Sequence, residues 1–171
     1  MNSSKLLILT LTLFLSSCVD PKNTDNKSGV VISMAKSVAL KNNDIKHMQA
    51  TELLKRRENK IDDLIIVDVR TKAEQMESMI PGAISKELFE KHAKYFKDKD
   101  IVSYCTVGSR SSEYTRELQK NGYKAYSLQG GILSWIHRGG KVFKEDKEVK
   151  KVRFLSEAWN LLPKGYEGVF P

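Results

Sequence analysis

The sequence predicts an α/β fold, a central parallel β-sheet flanked by helices and followed by a short C-terminal extension. Three observations predict it. Leu64-Ile65-Ile66-Val67 is a continuous apolar run, the pattern of a parallel strand covered on both faces. Asp100-Ile101-Val102-Ser103-Tyr104 is short and apolar with a β-branched pair, which reads as a second buried strand. Between residues 45 and 142, segments of strand character alternate with segments of helical character, as they do where helices connect parallel strands.

The elements follow in chain order. After Lys5, the run from Leu6 to Leu15 is apolar, of signal-peptide length and too short to span a bilayer comfortably. Leu15-Ser16-Ser17-Cys18 then sets small residues before a cysteine and resembles the bacterial lipobox. That resemblance implies a lipoprotein signal peptide over 1–17, cleavage before Cys18 and lipid on Cys18. Several acyl chains hold a protein stably on a membrane where a single chain does not. Val19 after the cysteine resembles an outer-membrane signal of diderm bacteria, so the expected location is membrane-anchored and periplasmic. Residues 18–29 are polar with little to bury and read as a tether.

The folded domain is expected over 30–142. A helix from Val30 to Leu40 carries Val31, Met34, Ala35 and Val38 at helical spacing. Ile45 to Met48 is a first strand, and Ala50 to Arg57 a helix with Leu53 and Leu54 as its apolar part. Lys86 to Lys97 is a charged helix expected to turn Leu88, Phe89, Ala93 and Phe96 inward. Tyr123 to Leu128 is a further strand and Ile132 to Ile136 a short helix. Lys141 to Lys151 reads as a surface hairpin turning at Glu145-Asp146. The extension, 143–171, carries Phe154, Trp159, Tyr166 and Phe170 and is expected to pack over an edge or face of the sheet; the sharper alternative is a lid shaping the acceptor site.

Between the strand ending at Tyr104 and a helix read over Ser111 to Asn121 lies Cys105-Thr106-Val107-Gly108-Ser109-Arg110. Serines near its start, Glu113 in its first turn and Gly122 past its end mark that helix. Gly108 permits a positive φ, so the N–H groups of Thr106 to Arg110 can curl toward one spot. The helix N-terminus and Arg110 add positive charge there. An anionic sulfur on Cys105 would be stabilised by that surrounding, and the thiolate is the nucleophilic form. With Cys18 given to lipid, Cys105 has no partner in the chain, and a leftover cysteine in an exported protein signals a reactive thiol or an intermolecular bridge.

The pattern Cys-x-x-Gly-x-Arg at 105–110 resembles the active-site loop of the rhodanese family of sulfurtransferases. Ile66-Val67-Asp68-Val69-Arg70-Thr71 with Glu74 resembles the family's second strand and the turn after it. Ile80-Pro81-Gly82-Ala83 resembles the lead into its third strand, and Gln129-Gly130-Gly131 with Trp135 and Gly139-Gly140 its closing strand-to-helix turn. The four motifs fall in family order. Ser78-Met79 departs from the usual Gly-His before Ile80, and Gln75 stands where an aromatic is common. The resemblance implies that Cys105 is catalytic, taking a sulfane sulfur from an anionic, thiosulfate-like donor as a persulfide and passing it to a thiol, a protein or cyanide. Thr106, Val107, Gly108, Ser109 and Arg110 would bind the donor, Arg110 through its planar fork. Such chemistry needs no cofactor and no metal, and His47, His92 and His137 lack metal spacing. Asp68, Arg70 and Glu74 read as a structural charged cluster that fixes the turn after the strand, and Trp135 reads as core.

Two other readings are weighed against this one. Phosphatases and arsenate reductases that use a Cys and an Arg on one loop hold five residues between them, whereas Thr106, Val107, Gly108 and Ser109 alone intervene here. A carrier or protein-binding module on the same fold is the alternative from another class. The net charge of +8 is spread over lysine-rich helices and the hairpin, without an aromatic-interleaved basic motif, so nucleic acid is not an expected partner.

Overall fold

The computed structural model describes residues 26–59 and 63–171, so the segment read as a signal peptide and Cys18 lie outside the described residues. The first element, α1 (Lys27–Lys41), starts inside the stretch read as a tether. Its first turn closes because Val30 N–H donates to Asn26 O at 3.0 Å, and Val31 and Ala35 are buried one turn apart. Burial of that stripe outweighs the polar composition before it.

Strands β1 (His47–Met48), β2 (Leu64–Asp68), β3 (Ala83–Ser85), β4 (Asp100–Tyr104) and β5 (Ala125–Leu128) form one parallel sheet in the order β1-β5-β4-β2-β3. Helices α2 (Ala50–Glu58), α3 (Lys72–Glu77), α4 (Lys86–His92), α5 (Ser109–Lys120) and α6 (Gly131–His137) alternate with them. Alternate side chains of the central strands feed two cores. Ile66 and Val102 join Met48, Leu53, Leu128 and Trp135 on one face, while Val67 and Ile101 join Phe89, Tyr114 and Leu118 on the other. β4 is buried at every position and lies between β5 and β2, pairing Ser103 with Ser127 and Asp68 with Tyr104. The residue after Tyr104 therefore emerges at the carboxyl edge of the sheet, where ligand sites of such sheets lie.

Several elements differ from the sequence reading. The charged helix read over 86–97 ends at His92 and continues as a 3-10 helix over Ala93–Phe96. Leu88 is exposed rather than inward: Phe89, Ala93 and Phe96 repeat at one-turn spacing, which leaves Leu88 off that stripe. Helix α3 stands where only a turn was read, nucleated by a capping box between Thr71 and Glu74.

The chain after α6 forms the hairpin β6 (Val142–Lys144) and β7 (Lys147–Val149), antiparallel, with Glu145 at φ 55° in its turn. Met79 and Phe143 exchange backbone hydrogen bonds, so the hairpin docks beside α3. Then β8 (Lys151–Arg153) pairs in parallel with β9 (Glu167–Val169) around a 3-10 turn at Glu157–Trp159. Val152, Phe154 and Leu162 are buried in the same core as Val31 and Trp135. Removing a buried Phe side chain such as that of Phe154 costs about 3–5 kcal/mol, so this extension is part of the folded unit.

Candidate active site

Tyr104 ends β4 with its ring fully buried, its hydroxyl donating to Asp68 Oδ2 at 2.5 Å and accepting from Ile80 N–H at 3.1 Å. Past Tyr104 the chain must turn, and α6 decides how. The first turn of α6 donates Ile132 N–H to Cys105 O at 2.9 Å and Leu133 N–H to Thr106 O at 3.3 Å. These are helix N-terminal donors without partners of their own, spent on the loop's carbonyls. The approach is too close for a side chain at Gly131, where a Cβ would lie 2.3 Å from Cys105 O. With Gly108 at φ 115°, the loop folds back and Gly108 N–H donates to Cys105 Sγ at 3.2 Å.

Gly108 is also the N-cap of α5, so that helix starts at Ser109, ahead of the serines read as its beginning. Ser111 and Ser112 turn their hydroxyls back onto Gly108 O at 3.1 and 2.8 Å, and Glu113 consequently lies beyond the first turn. Ser111 Oγ is also 3.8 Å from Cys105 Sγ and 2.9 Å from Ser127 Oγ. Its one proton is thus shared between the sulfur and the Gly108 carbonyl, with Ser127 able to donate into it.

The charged residues sort into separate pairs. Asp68 and Arg70 form the buried pair expected after β2, with Arg70 Nη2 2.7 Å from Asp68 Oδ2 and donating to Ser78 O at 2.5 Å. Glu74 hydrogen-bonds elsewhere. Arg110 Nη1 and Nη2 donate to its two carboxylate oxygens at 2.9 and 3.0 Å, Thr106 Oγ1 donates at 3.3 Å, and Thr71 N–H at 2.9 Å. The planar fork expected to meet an anionic donor is therefore turned onto a protein carboxylate. Glu74 thus lies within reach of the Arg70 charge but bonds directly to Arg110, which also lines the Cys105 cavity.

Electrostatics follow the geometry. Burial works against the charge of Glu74, but the Arg110 fork, the Thr71 N–H and the charge of Arg70 together hold its carboxyl below the usual range. Burial likewise opposes the charge of Arg110, and the bonds to Glu74 overcome it and raise its pKa. Burial and the Asp68 charge push the Tyr104 hydroxyl well above its ordinary value, so it stays a proton donor to Asp68.

Cys105 is free, 2 % exposed, and lies in the wall of a cavity of about 220 Å³. Thr106, Val107, Ser109 and Arg110 line it from the loop, and Leu155 and Trp159 line it from the extension. The structure thus gathers the whole predicted loop around the thiol, with Gly108 supplying the N–H that reaches the sulfur. Sequence reading missed Ser111, Thr71 and Leu155, while Trp159 was named in the extension, whose sharper alternative was a lid shaping the acceptor site. Ser111 was legible as a hydroxyl near a helix start, and Thr71 with Glu74 as a capping-box pattern. Leu155 carries no local signal at all, and Trp159 only that of an aromatic-rich extension.

A rhodanese-like domain model matches residues 49–138. A sulfurtransferase of Allochromatium vinosum is 34% identical over 93 residues, spanning 52% of this chain and 87% of its own. The thiosulfate sulfurtransferase GlpE of Coxiella burnetii is 35% identical over 95 residues, 53% of this chain and 84% of its own. A solved thiosulfate sulfurtransferase of Pseudomonas aeruginosa shares the fold, at a TM-score of 0.55 and 21% identity, over 70% of this chain and 23% of that one. A cysteine at the carboxyl edge of a central parallel strand, inside a matched span of more than half of the chain, places this protein in the rhodanese-like domain family, beside relatives named as sulfurtransferases.

Proposed function

We propose that the protein moves a sulfane sulfur from a small anionic donor, thiosulfate-like, to a thiol acceptor through a persulfide on Cys105. The observation that carries this reading is the Gly108 N–H donating to Cys105 Sγ at 3.2 Å, on a free cysteine facing a cavity. The Cys105 thiolate attacks the outer sulfur of the donor, the S–S bond of thiosulfate breaks, and sulfite leaves with the electron pair. Cys105 is left with one added sulfur, a covalent intermediate of the split-step kind. The loop N–H groups and the start of α5 stabilise the negative charge on that outer sulfur. An acceptor thiolate then attacks the outer sulfur, takes it as a persulfide and returns Cys105 as a thiolate; cyanide does the same and leaves as thiocyanate.

One observation weighs against an oxyanion enzyme of the phosphatase kind: the loop holds four residues between Cys105 and Arg110 rather than five. The test is steady-state formation of sulfite and thiocyanate from thiosulfate and cyanide, beside Cys105→Ala. Turnover in the wild type and a fall of at least ~10³-fold in the variant is the expected result. Turnover that survives Cys105→Ala would contradict the reading.

The same proposal places the domain (30–142, with its extension 143–171) outside the cytoplasm, held to a membrane by lipid on Cys18 through the 18–29 segment. Metabolic labelling with a radioactive fatty acid should mark the wild type and not Cys18→Ser, while Cys105 activity is unchanged. An unlabelled wild type would rule the anchor out.

A further inference from the structure

We infer that the extension gives the Cys105 cavity an apolar subsite, so that this chain favours thiol acceptors whose sulfur is borne on an alkyl or other apolar group. The inference deepens the persulfide reading of Cys105 and rests on it for its place in turnover. Its structural basis is separate.

Any molecule reacting at Cys105 must leave its remaining atoms in the cavity beyond the sulfur. Val107 of the loop, Leu155 and Trp159 form the apolar side of that cavity. Arg110, which also lines it, is bonded to Glu74 through both terminal nitrogens. An alkyl group gains by leaving water beside Leu155 and Trp159. Leu155 is 51% exposed and lines the same cavity as Cys105.

The wall is held firmly from both sides. Phe154, next to Leu155, is buried, and its N–H donates to Val169 O at 2.9 Å. Trp159 packs on the main core. Behind it, His137 Nε2 donates to Leu161 O at 2.7 Å and Lys27 Nζ to Leu162 O at 3.4 Å. Leu155 and Trp159 both lie outside the span matched by the family model, so the subsite belongs to this chain's own extension rather than to the shared domain.

The test uses the full-length reduced protein and a homologous series of alkyl methanethiosulfonates, methyl through butyl. Each transfers its alkylthio group to Cys105, forming a mixed disulfide and releasing methanesulfinate, so the reading needs no sulfane chemistry. Rates are taken from the mass of the Cys105 peptide and divided by those of N-acetylcysteine. The expected result is a rise of about two- to fourfold per added methylene, flattened in Leu155→Ser and in Trp159→Ala. Should Trp159→Ala fail to fold, Leu155→Ser carries the comparison, because its site is at the surface. In a second arm, Cys105 loaded with sulfur from thiosulfate is discharged by ethanethiol, propanethiol and butanethiol, and the same rise is expected. A flat series in the wild type, or a slope that persists in both variants, overturns the subsite even if the persulfide forms. A slope in the first arm with no persulfide in the second sustains the subsite and removes the transfer reading instead.

Discussion

Asp68 and Glu74 are both buried carboxylates paired with arginine, and they lie close together in the chain, yet they do different work. Asp68 and Arg70 are both 0% exposed at the side chain, while Glu74 is 1% and its partner Arg110 32% exposed. The Asp68 pair is sealed under Tyr104 and bonded to the Ser78 carbonyl, and so joins the exit of β2 to the end of β4 and the entry to β3. The Glu74 pair has a wet side, and its carboxylate also receives the hydroxyl of Thr106 beside the nucleophile. A sealed pair frames the sheet. A pair with one face in water can hold a loop and still let it adjust when a substrate arrives.

The largest effect that would expose this difference is Arg70→Met. It leaves Asp68 buried without its cation, which costs about 3–5 kcal/mol. Urea unfolding should show that loss, while the folded fraction keeps wild-type turnover. A large kinetic defect with unchanged stability would erase the contrast between the pairs.

Glu74→Gln should have the opposite balance. Because Arg110 can reach solvent, the stability loss is expected to be about 1–3 kcal/mol. Turnover should fall on the order of tenfold, because the Thr106 and Arg110 contacts that set the loop are weakened. The pH dependence has a definite sign. The folded-state pKa of Glu74 lies below its unfolded value, so its contribution is complete above the unfolded pKa, about 4.3, and is lost as pH falls through the lower folded value. The stability gap between wild type and Glu74→Gln should therefore be full near neutrality and close under acid conditions. A gap that widens toward acid would contradict the assignment. The smallest effect is that of Arg110→Lys, which keeps the charge but loses the bidentate fork: about 0.5–1 kcal/mol, with a measurable drop in turnover.

How much of this could be read in the sequence follows from how local each feature is. β4, Cys105 and Gly108 were legible because strand, loop and glycine lie within a few residues and each carries its own signal. The start of α5 was misplaced because Ser111 and Ser112 bond backward to Gly108 O, a choice set by loop closure rather than by capping preference. Glu74 was grouped with its neighbours Asp68 and Arg70, whose arginine charge does reach it, but the fork bonded to it lies 36 residues away. Leu155 and Trp159 are further still from Cys105, and only the β8–β9 pairing and the buried Phe154 bring them to it. Nothing in the sequence marks Leu155, and the aromatic run that holds Trp159 does not say which face it covers. The segment read as signal peptide and lipid site falls outside the described residues and stays an expectation for the labelling experiment.

The central claim is that Cys105 carries the sulfur, and intact-protein mass spectrometry tests it most directly. Reduced wild type and Cys105→Ala are each incubated with thiosulfate, desalted, weighed, and weighed again after cyanide. The account predicts one added sulfur atom on the wild type, located on the Cys105 peptide and removed by cyanide as thiocyanate, with no such gain in the variant. An unmodified wild type after both thiosulfate and polysulfide, or an equal gain in Cys105→Ala, would contradict it.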